Sequence, residues 1–339
     1  MVRVAVDAMG GDNAPGEIVK GVVDALIADT DKKLSVILVG READVKRELE
    51  ACRTEKNRSA FDESRIRIVH ADDVIETGDP PVVAIRNKKE SSLVKALTMV
   101  KEGEAEAFVS SGSTGAVLVG GQLIVGRLKG VQRTPLAPII PTLNGAALLI
   151  DCGANVDAKP ENLIQYAHMG TVYMKYIMGV ENPRVGILNI GVEEEKGNAL
   201  VKATYPLLKE EKGINFIGSV EAQGLVEGAA DVIVTDAFAG NVALKMYEAT
   251  GKALLTLMKD GFKSNVGSKL GAALALPSLK GKLKKFDASQ YGGAPMLGLK
   301  GLVVKSHGSA KAKEIRNTLM QCIDFSEQNI PEKISGAIS

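Results

Sequence analysis

Along the chain, short runs rich in Val, Ile and Ala alternate with longer segments whose apolar residues return at helical spacing. The runs are "VRVAV", "LSVILV", "RIRIV", "EAFV", "GAALLI", "PRVGIL", "INFIG" and "DVIVT". Helical spacing is clearest over Glu17–Ala28, Ser91–Lys101, Glu161–Met178 and Ala237–Lys259. Strand-length apolar runs separated by helices are the pattern of an α/β fold with parallel strands. No repeat of solenoid period appears, and no polar linker is long enough to divide the chain. The expectation is one two-lobed α/β unit spanning residues 1–339.

The segments after the runs are as regular as the runs themselves. "VRVAV" leads into "DAMGGDNAP", "EAFV" into "SSGSTGA" and "GAALLI" into "DCGANVD". "PRVGIL" leads into "NIGVEEEKGN", and "DVIVT" into "DAFAGN". All five runs give way to small, polar loops that contain glycine and open into helices. In a parallel sheet such strand ends share one edge, where α/β proteins bind ligands. Glycine allows close backbone approach, and helix N-termini offer N–H donors to an anion, phosphate above all. The same residue types are also ordinary turn formers and helix caps, so the signal lies in the five loops together.

Composition narrows the reading. The chain has 339 residues, a formal net charge of +1 and no Trp, so a nucleic-acid surface is not expected. Cys52, Cys152 and Cys322 are odd in number and far apart, which fits reduced thiols. The uncharged stretches Ala107–Gly126 and Thr134–Ile150 are broken by polar glycine-rich loops or by Pro135, Pro138 and Pro141. With no signal peptide pattern at the start, a cytoplasmic protein is expected. His70, His168 and His307 stand at no metal-ligand spacing. No Walker A sequence, full dinucleotide fingerprint or nucleophile elbow occurs. An anion pocket lacking these motifs points to phosphate itself as a reactant, with no cofactor and no metal.

"DAMGGD", "TGA" in "SSGSTGA", "GANVD", "NIGVEEEKGN", "TDAFAGN" and "YGGAPMLGLKG" with "SHG" resemble the bacterial phosphate acyltransferase family of phospholipid synthesis, the acyl-[acyl carrier protein]:phosphate transacylases. The likeness runs from Val2 to about Ser309 in the family's order. It includes "VIETGDPPVVAIRNKKESSL", where Arg86, Lys88, Lys89, Ser91 and Ser92 match a basic and Ser-Ser pattern. Ser113 stands where the family's pattern has Asn. The resemblance implies a three-layer α/β/α fold like the isocitrate and isopropylmalate dehydrogenases. It also implies a homodimer, and a reaction that converts acyl-carrier thioester and inorganic phosphate to acyl phosphate.

Under this reading the phosphate cradle comprises Gly10, Gly11, Asp12, Ser111, Gly112, Ser113, Thr114, Asn155 and Asn198. Lys196, Asn241 and His307 are the catalytic candidates: a cation for phosphate or oxyanion, an amide donor, and a proton source for the leaving thiol. Asp7, Asp151 and Asp236 would shape their loops, since a bare carboxylate repels phosphate. Each polar residue also has a plainer reading, as a cap, a turn or an exposed salt bridge. An acyl-CoA:phosphate acyltransferase, a nicotinamide-dependent dehydrogenase and a non-catalytic phosphate or acyl sensor remain alternatives. Finally, residues 259–286 hold seven lysines, one aspartate and the apolar core "LGAALAL". They should form a protruding helical segment that meets a membrane, the carrier protein or a second copy of the chain.

Overall fold

The computed structural model describes residues 1–284 and 286–338, with Lys284 described by its backbone alone; Lys285, inside the expected protruding segment, and Ser339 lie outside the described residues. In chain order the strands are β1 (Val2–Asp7), β2 (Leu34–Gly40), β3 (Ile66–His70), β4 (Ala107–Ser110), β5 (Ile139–Thr142) and β6 (Gly145–Ile150). They continue with β7 (Arg184–Leu188), β8 (Asn215–Val220), β9 (Val232–Val234), β10 (Ala294–Met296) and β11 (Leu302–Lys305). The chain forms two compact units, one of residues 1–138, 168–182 and 289–339, the other of residues 139–167 and 183–288. The architecture is α/β/α with mostly parallel strands.

The first unit holds a six-stranded sheet in the order β10-β11-β4-β1-β2-β3. Every neighbouring pair is parallel except β10 with β11. Val4, Val6, Leu38, Phe108, Val109 and Val303 are all but fully buried, as strands covered on both faces require. Helix Gly16–Ala28 lies against helix Ala312–Glu327 at Gly21, where a Cβ would come within 2.5 Å of the Ile315 Cβ. Helix Ser92–Lys101 is capped by Ser91, whose hydroxyl accepts from the Val94 amide at 3.4 Å.

The second unit holds a five-stranded sheet, β5-β6-β9-β7-β8, in which only β5 runs antiparallel to its neighbour. Its core gathers Ile140, Leu149, Cys152, Val220, Leu225 and Ile233. Two long helices come after β9, Ala237–Lys263 and Val266–Lys284. Pro277 sits inside the second of them. Most of their large apolar side chains face solvent, with Leu274 84% exposed, and a groove of about 370 Å³ runs between them. No described helix is long and apolar enough to cross a membrane.

The two sheets correct one expectation. The five glycine-bearing loops do not share an edge: those after β1 and β4 belong to the first sheet, and those after β6, β7 and β9 to the second. Strand pairing is a long-range choice. Apolar runs of the same length and composition carry no mark of the sheet they will join.

Candidate functional site

In the first unit three strand ends meet in register. Lys305 lies opposite Ser110, and Asp7 comes directly after Val6, which lies opposite Val109. The loops that leave these strands are packed backbone against backbone. At Gly10 a Cβ would come within 2.8 Å of the Gly112 nitrogen. At Gly11, with φ of +102°, it would sit 2.7 Å from the Ser111 Cβ and 2.9 Å from the Gly308 carbonyl oxygen. Only glycine fits both the space and the dihedral. The Asp12 amide donates to the Gly308 carbonyl at 2.8 Å, while Asn13 Nδ2 donates to the Ser309 and Ala310 carbonyls at 3.0 and 3.2 Å. The Asp12 residue itself is exposed.

Asp7 is the buried hub of this cluster. It accepts from the Ser92 hydroxyl at 2.6 Å, the Ser110 hydroxyl at 2.7 Å and the Met9 amide at 3.2 Å. Burial pushes its carboxyl above the usual range, against the serine and amide hydrogen bonds that pull it down. The Ser110 hydroxyl in turn accepts from the Gly112 amide at 2.9 Å. Ser113 caps the next helix, its hydroxyl accepting from the Ala116 amide at 3.4 Å. Thr114 is exposed.

Two side chains give the cluster its chemistry. The Ser111 hydroxyl is buried, its residue 2% exposed, and has no hydrogen-bond partner. A buried hydroxyl without a partner is costly, so an acceptor brought to it gains that energy back. Lys305, 7% exposed, donates its ammonium to the Ser111 carbonyl at 3.3 Å and to the Ser306 carbonyl. A buried cation at the end of β11 and an unpartnered hydroxyl on the loop after β4, joined through the Ser111 carbonyl, favour an anion. His307 stands beside them at the surface. Its Nδ1 accepts from the Ser309 amide at 3.2 Å and lies 2.9 Å from the Ser309 hydroxyl, and its amide donates to Glu314 at 2.9 Å.

In the second unit the loops after β6, β9 and β7 lie side by side, because those strands are neighbours. Asp151 gathers the loop after β6. It accepts from the amides of Gly153, Ala154 and Asn155 at 3.2, 3.1 and 2.9 Å, and from Asn155 Nδ2 at 2.7 Å. Asn155 therefore sits in this unit, held by Asp151. Asp236 caps helix Ala237–Lys263 through the Ala239 amide at 2.8 Å, and Asn198 caps helix Ala199–Glu210 through the Val201 amide at 2.9 Å. The loop after β7 is closed by Asn189 Nδ2, which donates to the Lys196 carbonyl at 3.2 Å and the Ser219 hydroxyl at 3.1 Å. Lys196 is 48% exposed and pairs with Glu193 at 3.0 Å. Asn241 is exposed on the first turns of helix Ala237–Lys263.

Sequence reasoning thus locates the loops but passes over Ser92 and Ser110 as partners of Asp7. It puts the cation at Lys196 rather than at Lys305. The signals were present in the Ser-Ser of "KKESSL" and in a lysine ending an apolar strand, "LVVK".

Comparison with known proteins adds the kinship. Over 338 residues the chain is 48% identical to a phosphate acyltransferase of Clostridium perfringens, covering 100% of this chain and 97% of that one. It is 47% identical over 341 residues to a phosphate acyltransferase of Heliobacterium modesticaldum, covering 99% of each. Among solved structures it resembles a phosphotransacetylase from Streptococcus pyogenes, with a TM-score of 0.58 at 16% identity, covering 96% of this chain and 94% of that one. A branched-chain phosphotransacylase from Enterococcus faecalis gives a TM-score of 0.56 at 15% identity, covering 96% and 98%. These two likenesses establish the fold alone. Residues 2–333 match the family described as "Fatty acid synthesis protein", and the chain belongs to that family.

Proposed function

We propose that the chain is an acyltransferase that moves an acyl group from acyl carrier protein onto inorganic phosphate, giving acyl phosphate and free carrier. The observation that carries the reading is the Ser111 cluster: a buried hydroxyl with no partner beside a buried ammonium, on a loop of the family's motif. Relatives that match it over their full length are named phosphate acyltransferases, which supports phosphate as the acceptor. Hydrogen phosphate dianion attacks the thioester carbonyl, and the new C–O bond forms as the carbonyl π pair moves onto oxygen. Collapse of this oxyanion breaks the C–S bond, and the proton carried by phosphate ends on the carrier thiol. The thioester is already activated, so no nucleotide is consumed.

Ser111, Gly112, Ser113 and Thr114 with Gly10 and Gly11 form the phosphate cradle of this reading, Lys305 supplies its positive charge, and Asp12 orients a cation at its rim. Asn155, Asn198, Asn241, His307 and Lys196 remain the further candidates. Among them Lys196 is tested most sharply. Its ion pair with Glu193 is exposed and adds little to stability. Loss of a donor to a developing oxyanion costs about 10²–10³ in rate. Lys196→Ala should lower turnover by that factor with an unchanged melting temperature; retention of a third of the wild-type rate would assign it to the surface. The exposed far part of the helix pair, residues 254–284, is read as a docking face for a second copy of the chain, with an anionic membrane as the rival partner.

Incubation with acyl-carrier thioester and phosphate, without nucleotide and after EDTA treatment, tests the whole. Thioester loss should depend on phosphate and yield acyl phosphate, trapped as a hydroxamate. Turnover of acyl-CoA alone would favour the coenzyme-dependent reading. Binding of phosphate with no turnover of any thioester would favour a sensor.

A further inference from the structure

Five large apolar side chains stand out on the three adjacent strand-end loops of the second unit. Val156 comes directly after Asn155 on the loop after β6. Ile190 and Val192 lie on the loop after β7 that ends in Lys196 and Asn198. Phe238 and Val242 flank Asn241 on the helix after β9. They are between 56% and 79% exposed. The strands beneath them, β6, β9 and β7, are consecutive in the sheet, so these loops crowd one edge. Helix Ala237–Lys263 is drawn onto the same edge, since at Gly240 even a Cβ would overlap the Asp151 carbonyl oxygen, and the Ala237 amide donates to the Asn155 carbonyl at 3.1 Å.

Loops at the surface of a globular fold are ordinarily polar, and apolar groups clustered on them mark a binding surface. Asn155, Asn189 and Asn241 directly precede Val156, Ile190 and Val242, so the surface suits a ligand that is polar at one end and hydrocarbon at the other. Neither an inorganic anion nor a compact coenzyme has that division. A fatty acyl thioester does.

We infer that Val156, Ile190, Val192, Phe238 and Val242 form the surface that holds the acyl chain and so set the chain-length preference. The inference rests on the acyl-transfer reading and deepens it. Each methylene that leaves water for an apolar surface is worth a factor of about 3–4 in affinity. Affinity should therefore climb with chain length until the surface is covered.

Two measurements test this. Binding of straight-chain fatty acids of eight, twelve and sixteen carbons, followed by calorimetry, requires no turnover. Steady-state kcat/KM for carrier thioesters of the same lengths reads the reaction. In the wild type both should rise with length. In Phe238→Ser combined with Ile190→Ser, the gain from eight to sixteen carbons should shrink at least tenfold, with the KM for phosphate within twofold of wild type. Val192→Ser should do the same in part. These positions face solvent, so folding should survive, as a melting curve will show. A wild type indifferent to chain length overturns the inference, as does a variant that loses the same factor at every length or none at any. If no thioester is consumed while fatty-acid binding still climbs with length, the acyl-transfer reading fails and the apolar surface stands.

Discussion

At the scale of single residues, the Asp7 cluster shows what two glycines and a buried carboxylate accomplish at a strand end. Gly11 combines a φ of +102° with contacts that leave no room for a side chain. Gly11→Ala should cost about 1–3 kcal/mol in urea denaturation and raise the KM for phosphate, because the displaced neighbour is the Ser111 loop itself. Equal stability for the two proteins would mean that the three loops are loosely joined. Asp7 carries a second prediction, in pH. Burial raises its folded pKa above the unfolded value, so between those two values the folded chain holds more protons than the unfolded one. Its contribution to stability is then greatest in acid and falls as pH rises through the raised pKa, levelling off above it. Asp7→Asn removes that titration. The difference in melting temperature between wild type and Asp7→Asn should shift against the wild type as pH climbs from about 4; a constant difference would show that the carboxyl titrates alike in both states.

At the scale of elements, all eight apolar runs became strands, and the four helices read from spacing formed within a few residues of their expected ends. Periodicity is a local property and was legible. Three strands were not. Pro141 lies within β5 and Pro295 within β10, and each strand forms an edge of its sheet, the place where a missing N–H does least harm. β11 comes straight after the glycine-rich "YGGAPMLGLKG", a stretch that reads as loop. Nor could the sequence disclose that β4 pairs with β11, nearly two hundred residues away, and that pairing is what carries Lys305 to Ser111. The candidate site was therefore legible as loops and illegible as a cluster. Close element packing offers its own test at Gly240, where helix Ala237–Lys263 rests on the Asp151 carbonyl. An added methyl must push the helix away, so Gly240→Ala should destabilise the protein by about 3 kcal/mol in denaturant. A change below about 0.5 kcal/mol would show that the helix start can shift freely.

At the scale of the whole molecule, the helix pair 237–263 and 266–284 raises the question of what covers it. Leu254, Leu257, Val266, Leu270 and Leu274 are each more than half exposed, and a contiguous apolar face of this kind is rare on a protein that remains alone. A second copy of the chain brings the same face, and two such hairpins can close around a two-fold axis with their leucines inward and their lysines outward. An anionic membrane would use the same groups differently, drawing in the lysines as well as the leucines. Salt separates the two occupants, because leucine burial persists at high ionic strength while lysine attraction to headgroups is screened. Sedimentation equilibrium in 0.5 M salt should therefore give the mass of two chains for the wild type, and that of one chain for Leu270→Ser combined with Leu274→Ser. Flotation with anionic vesicles reports on the rival. A wild type that sediments as one chain, yet floats with vesicles at low salt and loses them at high salt, would assign the hairpin to the membrane and remove the second copy from it.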